Sequence, residues 1–240
     1  MVDLEKQLQD TNANNTRFKI IVTDGVFSMD GIVASLDKIC DLADKYDAMV
    51  MIDECHAAGF IGKTGRGTLE EKNVLNRIDI ITGTLGKALG GAMGGYTTGK
   101  KEIIDMLRQR SRPYLFSNSL APAIVGASIK VFDMLTDDIS LRDKLEWNTN
   151  YFKKGMKAAG FDIVNGDSAI VPVMLYDAKL SQTMANMLLK EGIYVTGFFF
   201  PVVPKEKARI RVQLSASHKK YHLDKAINAF IKVGQKLNIV

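Results

Sequence analysis

Short apolar runs that stop abruptly at polar residues recur along the first hundred positions of this chain. Residues 18–22 run into Asp24 and Gly25, and residues 48–52 into Asp53 and Glu54, the pattern of buried strands whose C-terminal ends open into polar loops. Between them, residues 35–46 carry Leu36, Ile39, Cys40, Leu42 and Ala43 at helical spacing, with Ser35 as the expected N-cap. The three elements predict a βαβ unit. Residues 78–81 predict a third strand and residues 92–97 a fourth, so this part reads as an α/β large domain built on a mostly parallel sheet.

Helical periodicity then takes over at residues 100–110, 121–135 and 141–159, the last long enough to bridge two domains. Beyond it the texture changes. Strands at 170–175, 193–196 and 208–214, with helices near 181–191 and from Leu223, predict a small α+β domain. The expected division is 1–134 and 135–240. Four strands are few for a parallel sheet, which is normally covered on both faces, so further upstream material is expected.

Composition adds little to this picture. The 240 residues are 46% hydrophobic and 25% charged, ordinary for a globular chain. Lys and Arg number 32 against 27 acidic residues; the net charge of +5 is scattered through predicted helices and suits anionic substrates better than nucleic acid. Two cysteines, Cys40 and Cys55, make no disulfide framework, so a cytoplasmic location is expected. No apolar stretch approaches the ~20 residues of a membrane span. The first eight residues follow an amphipathic helical pattern rather than that of a signal peptide and read like the middle of a domain.

The chemistry concentrates at two strand ends. Lys87 follows the third strand in a loop that also holds Gly83, Gly86, Gly90 and Gly91, where small neighbours let a planar group approach the backbone. A P-loop would need glycine at position 81 and Ser or Thr at 88; Ile81 and Ala88 stand there instead. A solvated loop lysine fits the loop alone equally well. Asp53 and His56, however, end an upstream strand. A lysine amine can form a Schiff base with an aldehyde, and a carboxylate can keep a ring nitrogen protonated, so Lys87 and Asp53 together point to pyridoxal 5'-phosphate (PLP). Read singly, Asp53 is a turn cap and His56 a core histidine.

Further residues fit such a site. Thr84 and the segment 116–119 offer hydroxyls and backbone donors to a phosphate, and Ser119 fits an N-cap of the following helix. Ser28 lies in the loop after the first strand, within expected reach of the same ring. Arg209 and Arg211 alternate on one strand and share a face, where a guanidinium can grip a carboxylate or form a structural ion pair. Zinc at Cys40, Cys55 and His56 lacks a fourth ligand, and His218 and His222 lack the intervening Glu of a metalloprotease helix.

These residues together resemble the α-oxoamine synthase family of fold-type I PLP enzymes, and within it the branch that acetylates glycine. The likeness covers essentially the whole chain and is most specific at residues 23–31, 80–95, 108–119 and 192–211. By that resemblance Lys87 anchors PLP and serves as acid and base, Asp53 pairs with the ring nitrogen, and His56 and Ser28 address the ring oxygen. Thr84 is implied to bind the phosphate, Phe116 and Ser117 to reach the cofactor of a partner subunit in a homodimer, and Arg211 to hold the substrate carboxylate.

The implied reaction joins glycine to acetyl-CoA, giving 2-amino-3-ketobutyrate and CoA, and runs in reverse in threonine catabolism. Sister synthases using other acyl-CoAs or amino acids, or a non-catalytic piece of such an enzyme, are the alternatives. Glu54 and Cys55 depart from a commoner Asp-Ser pair, and the resemblance implies no chemistry for them. The family's glycine-rich turn and ring-stacking histidine precede the matched region, so the sequence is expected to be the C-terminal part of the enzyme, silent and poorly soluble in isolation.

Overall fold

The computed structural model describes residues 1–14, 16–90 and 93–240. Two compact units emerge. The first comprises Met1–Val26 and Val33–Ile139, the second Phe27–Ile32 and Ser140–Val240. The first unit therefore extends a few residues past the expected boundary, because its last helix continues to Asp137, and it gives up six residues of the early chain to the second.

In the first unit, helix α1 (Val2–Ala13) precedes strand β1 (Ile20–Asp24); the short strands β2 (Val26–Phe27) and β3 (Ile32–Val33), each with one residue in either unit, pair with each other. Helix α2 (Leu36–Tyr46) and strand β4 (Met49–Asp53) complete the βαβ unit. Helix α3 (Thr68–Glu71), strands β5 (Ile80–Thr84) and β6 (Gly95–Gly99), and helices α4 (Lys101–Arg110), α5 (Arg112–Phe116) and α6 (Pro122–Asp137) follow. The sheet order is β1-β4-β5-β6, with β1, β4 and β5 parallel and β6 antiparallel to β5. Of the expected strand at 92–97, Ala92 lies outside the described residues; the observed one begins at Gly95.

Leu36, Ile39, Cys40, Ala43 and Tyr46 form the buried stripe of α2 and pack with Leu8 of α1 on Ile21, Val50 and Ile52. Each of the fully buried aliphatic side chains contributes about 2 kcal/mol of transfer free energy, which fixes the sheet edge that carries the chemistry. Ser35 occupies the N-cap position of α2, but its hydroxyl makes no capping bond; Leu36 N donates instead to Ala34 O at 2.9 Å. Ser119 is likewise no cap. Helix α6 begins at Pro122 with Ala121 before it, since proline at the first turn needs no donor satisfied.

The second unit holds α7 (Ser140–Ala158), β7 (Ile170–Tyr176), α8 (Ala178–Lys190), β8 (Gly197–Phe198), β9 (Ala208–Gln213) and α9 (Lys220–Lys236). Its antiparallel sheet runs β7-β9-β8, and Phe152, Phe161 and Phe230 meet edge to face beneath it. Helix α7 lies wholly within this unit rather than bridging two. The expected strand at 193–196 is not formed: on the side away from β7, β9 pairs with Gly197 and Phe198, and the residues before them are in no ladder. Helix α8 starts earlier than expected because the Asp177 side chain accepts from Leu180 N at 2.6 Å, a cap worth about 1 kcal/mol.

Candidate active site

Parallel pairing brings the C-terminal ends of β1, β4 and β5 to one edge. Asp24 lies opposite Asp53, and Asp53 opposite Thr82. Backbone bonds knit these ends together, Gly25 N to Asp53 O at 2.8 Å and Glu54 N to Thr82 O at 2.7 Å. Asp53 thus ends its strand with neighbours paired on both sides, and its side chain also caps the turn that follows, through Cys55 N.

Its carboxylate is held by acceptor bonds on both oxygens. Cys55 N donates to Oδ1 at 2.7 Å and Thr82 Oγ1 to Oδ2 at 3.3 Å. Burial alone would raise the Asp53 pKa; hydrogen bonds from Cys55 and Thr82 and the positive charge of Lys87 outweigh it and hold the carboxyl below its ordinary value. Asp24 moves the other way, raised by burial and by the neighbouring Asp53 charge. The Cys55 thiol, half-buried and bonded to Asp53, is pushed up to about 11, so it is a neutral donor at neutral pH.

After β5 the chain makes a loop pinned at Leu85 and Leu89, both buried, with Gly86, Lys87 and Ala88 exposed between them. Leu85 N donates to Gly94 O at 2.9 Å and Gly90 N to Lys87 O at 3.0 Å. From this arch Lys87 Nζ reaches His56 Nε2 at 3.0 Å. The structure therefore brings Asp53 and His56, neighbours in sequence, together with Lys87, 31 residues beyond His56. Thr84 is the last residue of β5, just before this loop, where its hydroxyl donates to Gly94 O at 3.1 Å and accepts from Gly86 N at 3.2 Å.

Phe116 and Ser117 end α5 and are exposed, Phe116 at 77%, with the Arg112 guanidinium 5.3 Å from the Phe116 ring centre. Ser28 and Arg211 belong to the second unit, and there they meet: Arg211 donates to Ser28 O at 3.0 Å and lies 5.0 Å from the Phe198 ring centre.

Three residues without an assigned chemical role in the sequence reading take part. Thr82 orients Asp53 across the sheet. Glu54 is 2% exposed and accepts from Thr68 N at 2.8 Å and from the Thr68 hydroxyl, while burial, partly offset by those bonds, raises its carboxyl to about 7. Cys55 supplies the backbone donor to Asp53. The spacing of Thr82 two residues before Thr84 carries a signal only once strand register is known. A separate cavity of about 390 Å³ in the first unit is lined by Glu54, Arg66, Leu69, Tyr96 and Phe132; Asp53, His56 and Lys87 are not among its walls.

Residues 1–230 match the family model described as aminotransferase class I and II. The chain belongs to this family. Over all 240 residues it is 57% identical to a 2-amino-3-ketobutyrate coenzyme A ligase of Salmonella typhimurium, and over 238 residues 48% identical to an 8-amino-7-oxononanoate synthase of Thermosipho melanesiensis. It spans 60% of the length of each, and 100% and 99% of it is covered. A solved structure of SPT that holds PLP superposes with a TM-score of 0.90 at 31% identity, covering 97% of this chain and 60% of that one. The mixed, mostly parallel sheet described above is thus an aminotransferase class I and II architecture.

Proposed function

We propose that this chain carries the cofactor-anchoring and substrate-gripping residues of a PLP-dependent acyltransferase that condenses glycine with acetyl-CoA to 2-amino-3-ketobutyrate and CoA, and that works in reverse during threonine catabolism. The observation that carries the reading is the meeting of the Lys87 amine, the His56 imidazole and an ionised Asp53 at one strand edge. The 57% identity to the Salmonella ligase along the whole chain supports the choice of substrates.

The donor set fits PLP. An acid kept ionised by two donors is what a protonated ring nitrogen requires, and Lys87 is an exposed amine on an arch held by buried leucines. When bound, PLP supplies an aldehyde that ties it to the lysine and a ring that draws electrons away from the α-carbon of glycine. Lys87 would be the covalent anchor for PLP and the base and acid that move the α-proton of glycine. Asp53 keeps the ring nitrogen protonated. His56, already within hydrogen-bond reach of Lys87, addresses the ring oxygen together with Ser28.

Arg211 offers a two-pronged grip for the glycine carboxylate. Burial draws its pKa down, yet a guanidinium stays charged throughout the physiological range. For Thr84 to bind the phosphate its hydroxyl must exchange the Gly94 carbonyl for a phosphate oxygen, while Gly86 N stands beside it as a second donor. The exposure of Phe116 and Ser117 suits residues that complete the site of a partner subunit in a homodimer. Two free cysteines suit a cytoplasmic setting, and among the described residues no helix is long and apolar enough to cross a membrane.

The 48% identity to the Thermosipho synthase favours a second reading, an α-oxoamine synthase that takes a longer acyl-CoA. Assaying the full-length gene product with glycine and a ladder of acyl-CoAs separates the two. Acetyl-CoA should give the highest kcat/KM; preference for a long chain would overturn the proposed specificity.

A further inference from the structure

The six residues that the second unit takes from the early chain, Phe27–Ile32, are fastened to the rest of it through three backbone carbonyls and one carboxylate. Asp30 N and Gly31 N both donate to Phe27 O, at 3.1 and 2.8 Å, which closes a turn that Gly31 completes with a positive φ of 68°. The carbonyls of this turn then serve as acceptors. Ser28 O takes a bond from Arg211 at 3.0 Å, Met29 O from Arg209 at 3.1 Å, and Gly31 O from the Ser168 hydroxyl at 2.9 Å.

Arg209 is the centre of this fastening. It is 4% exposed, and a guanidinium so far removed from water needs partners of its own. It donates through Nε to Lys207 O at 2.9 Å, and the nitrogen that bonds Met29 O also pairs with the Asp30 carboxylate at 2.5 Å. Two acceptors from one turn thus converge on one guanidinium nitrogen. That geometry fixes the turn against β9 in both position and rotation, which a single bond would not do.

We infer that Arg209 and Asp30 form a positioning pair: Arg209, two residues before Arg211 on β9, locks the Ser28 turn, and the Ser28 carbonyl in turn sets the orientation of the Arg211 guanidinium. Substrate never touches the pair. The inference rests on the proposed role of Arg211 in holding the glycine carboxylate. Its consequence is that losing the Asp30 charge frees the turn to rotate, lets Arg211 follow its carbonyl partner, and weakens glycine binding without affecting the thioester substrate.

The test uses the full-length, PLP-loaded gene product. Glycine affinity is read from the change in cofactor absorbance on titration, without turnover, and KM for glycine and acetyl-CoA is measured separately. Asp30→Asn should raise the glycine Kd by about fivefold or more while the acetyl-CoA KM stays within about twofold. Asp30→Glu keeps the charge on a half-exposed side chain and should bind glycine within about twofold of the parent.

Arg211→Lys is run beside them. If it weakens glycine binding but Asp30→Asn leaves the glycine Kd unchanged, or shifts both KM values equally, the positioning pair is overturned and the role of Arg211 stands. If Arg211→Lys itself leaves glycine binding unchanged, the carboxylate role falls and the inference with it.

Discussion

Lys87 Nζ lies 3.0 Å from His56 Nε2, so the amine arrives at the site already bound to an imidazole. An ammonium has donors only, which makes His56 the acceptor and leaves its remaining proton on Nδ1. The contact fixes the direction in which the amine points.

Borohydride reduction of the PLP-loaded protein should therefore fix a pyridoxyl group on the peptide containing Lys87, detected by mass spectrometry after digestion. Label on any other lysine would refute the assignment. Lys87→Ala should lower turnover by about a thousandfold or more, because anchor and proton carrier vanish together.

Asp53→Asn should leave PLP able to bind but slow exchange of the glycine α-proton in deuterated water by about a hundredfold to a thousandfold. An amide cannot stabilise a protonated ring nitrogen. Thr82→Val removes one neutral donor from the same carboxylate and should cost about tenfold or less. Equal effects of the two substitutions would show that geometry, not charge, is what Asp53 supplies.

Glu54 gives a pH signature. Its folded pKa of about 7 stands above the ordinary 4.5, so the folded state binds a proton that the unfolded state has released. The stabilisation from that proton is complete below about 4.5 and is lost as pH rises to about 7, a total of about 3 kcal/mol. Glu54→Gln should abolish this part of the pH dependence, seen as a smaller change in denaturant midpoint between pH 5 and 8 than in the parent. An unchanged pH profile would mean that water reaches the carboxyl.

Gly67 meets the same carboxyl. Its φ is +89°, and a Cβ there would overlap Glu54 Oε2. Gly67→Ala should destabilise the protein by about 2 to 3 kcal/mol, from backbone strain and displacement of the buried acid together. A loss under about 0.5 kcal/mol in denaturant titration would show that the α3 entrance relaxes freely.

Much of the architecture was legible because periodicity reports burial. The stripe Leu36, Ile39, Cys40, Ala43 in α2 is the core face that its spacing announces, and polar residues mark where β4 stops. Lys87 and Asp53 stood out as chemistry at strand ends. Residues 193–196 misled for a physical reason: Ile193 and Val195 are half-buried between exposed neighbours, as in a strand, but pairing with β9 begins only at Gly197. Thr82 and Glu54 were hidden because their roles depend on partners across the sheet and 14 residues downstream, at Thr68. Asp30 was hidden because its partner is 179 residues away.

The turn at Phe27–Ile32 also sets an order of events at the ribosome. Its carbonyls wait for Arg209, which follows Met29 by 180 residues, an interval of about 10 to 40 seconds at ordinary translation speed. Throughout that time Asp30 remains hydrated and the turn stays unanchored. A stop anywhere between Val33 and Ala208 leaves the turn without its guanidinium. Release of residues 140–240 as a separate polypeptide strands Arg209 the other way, a buried cation whose carboxylate has stayed behind on another chain.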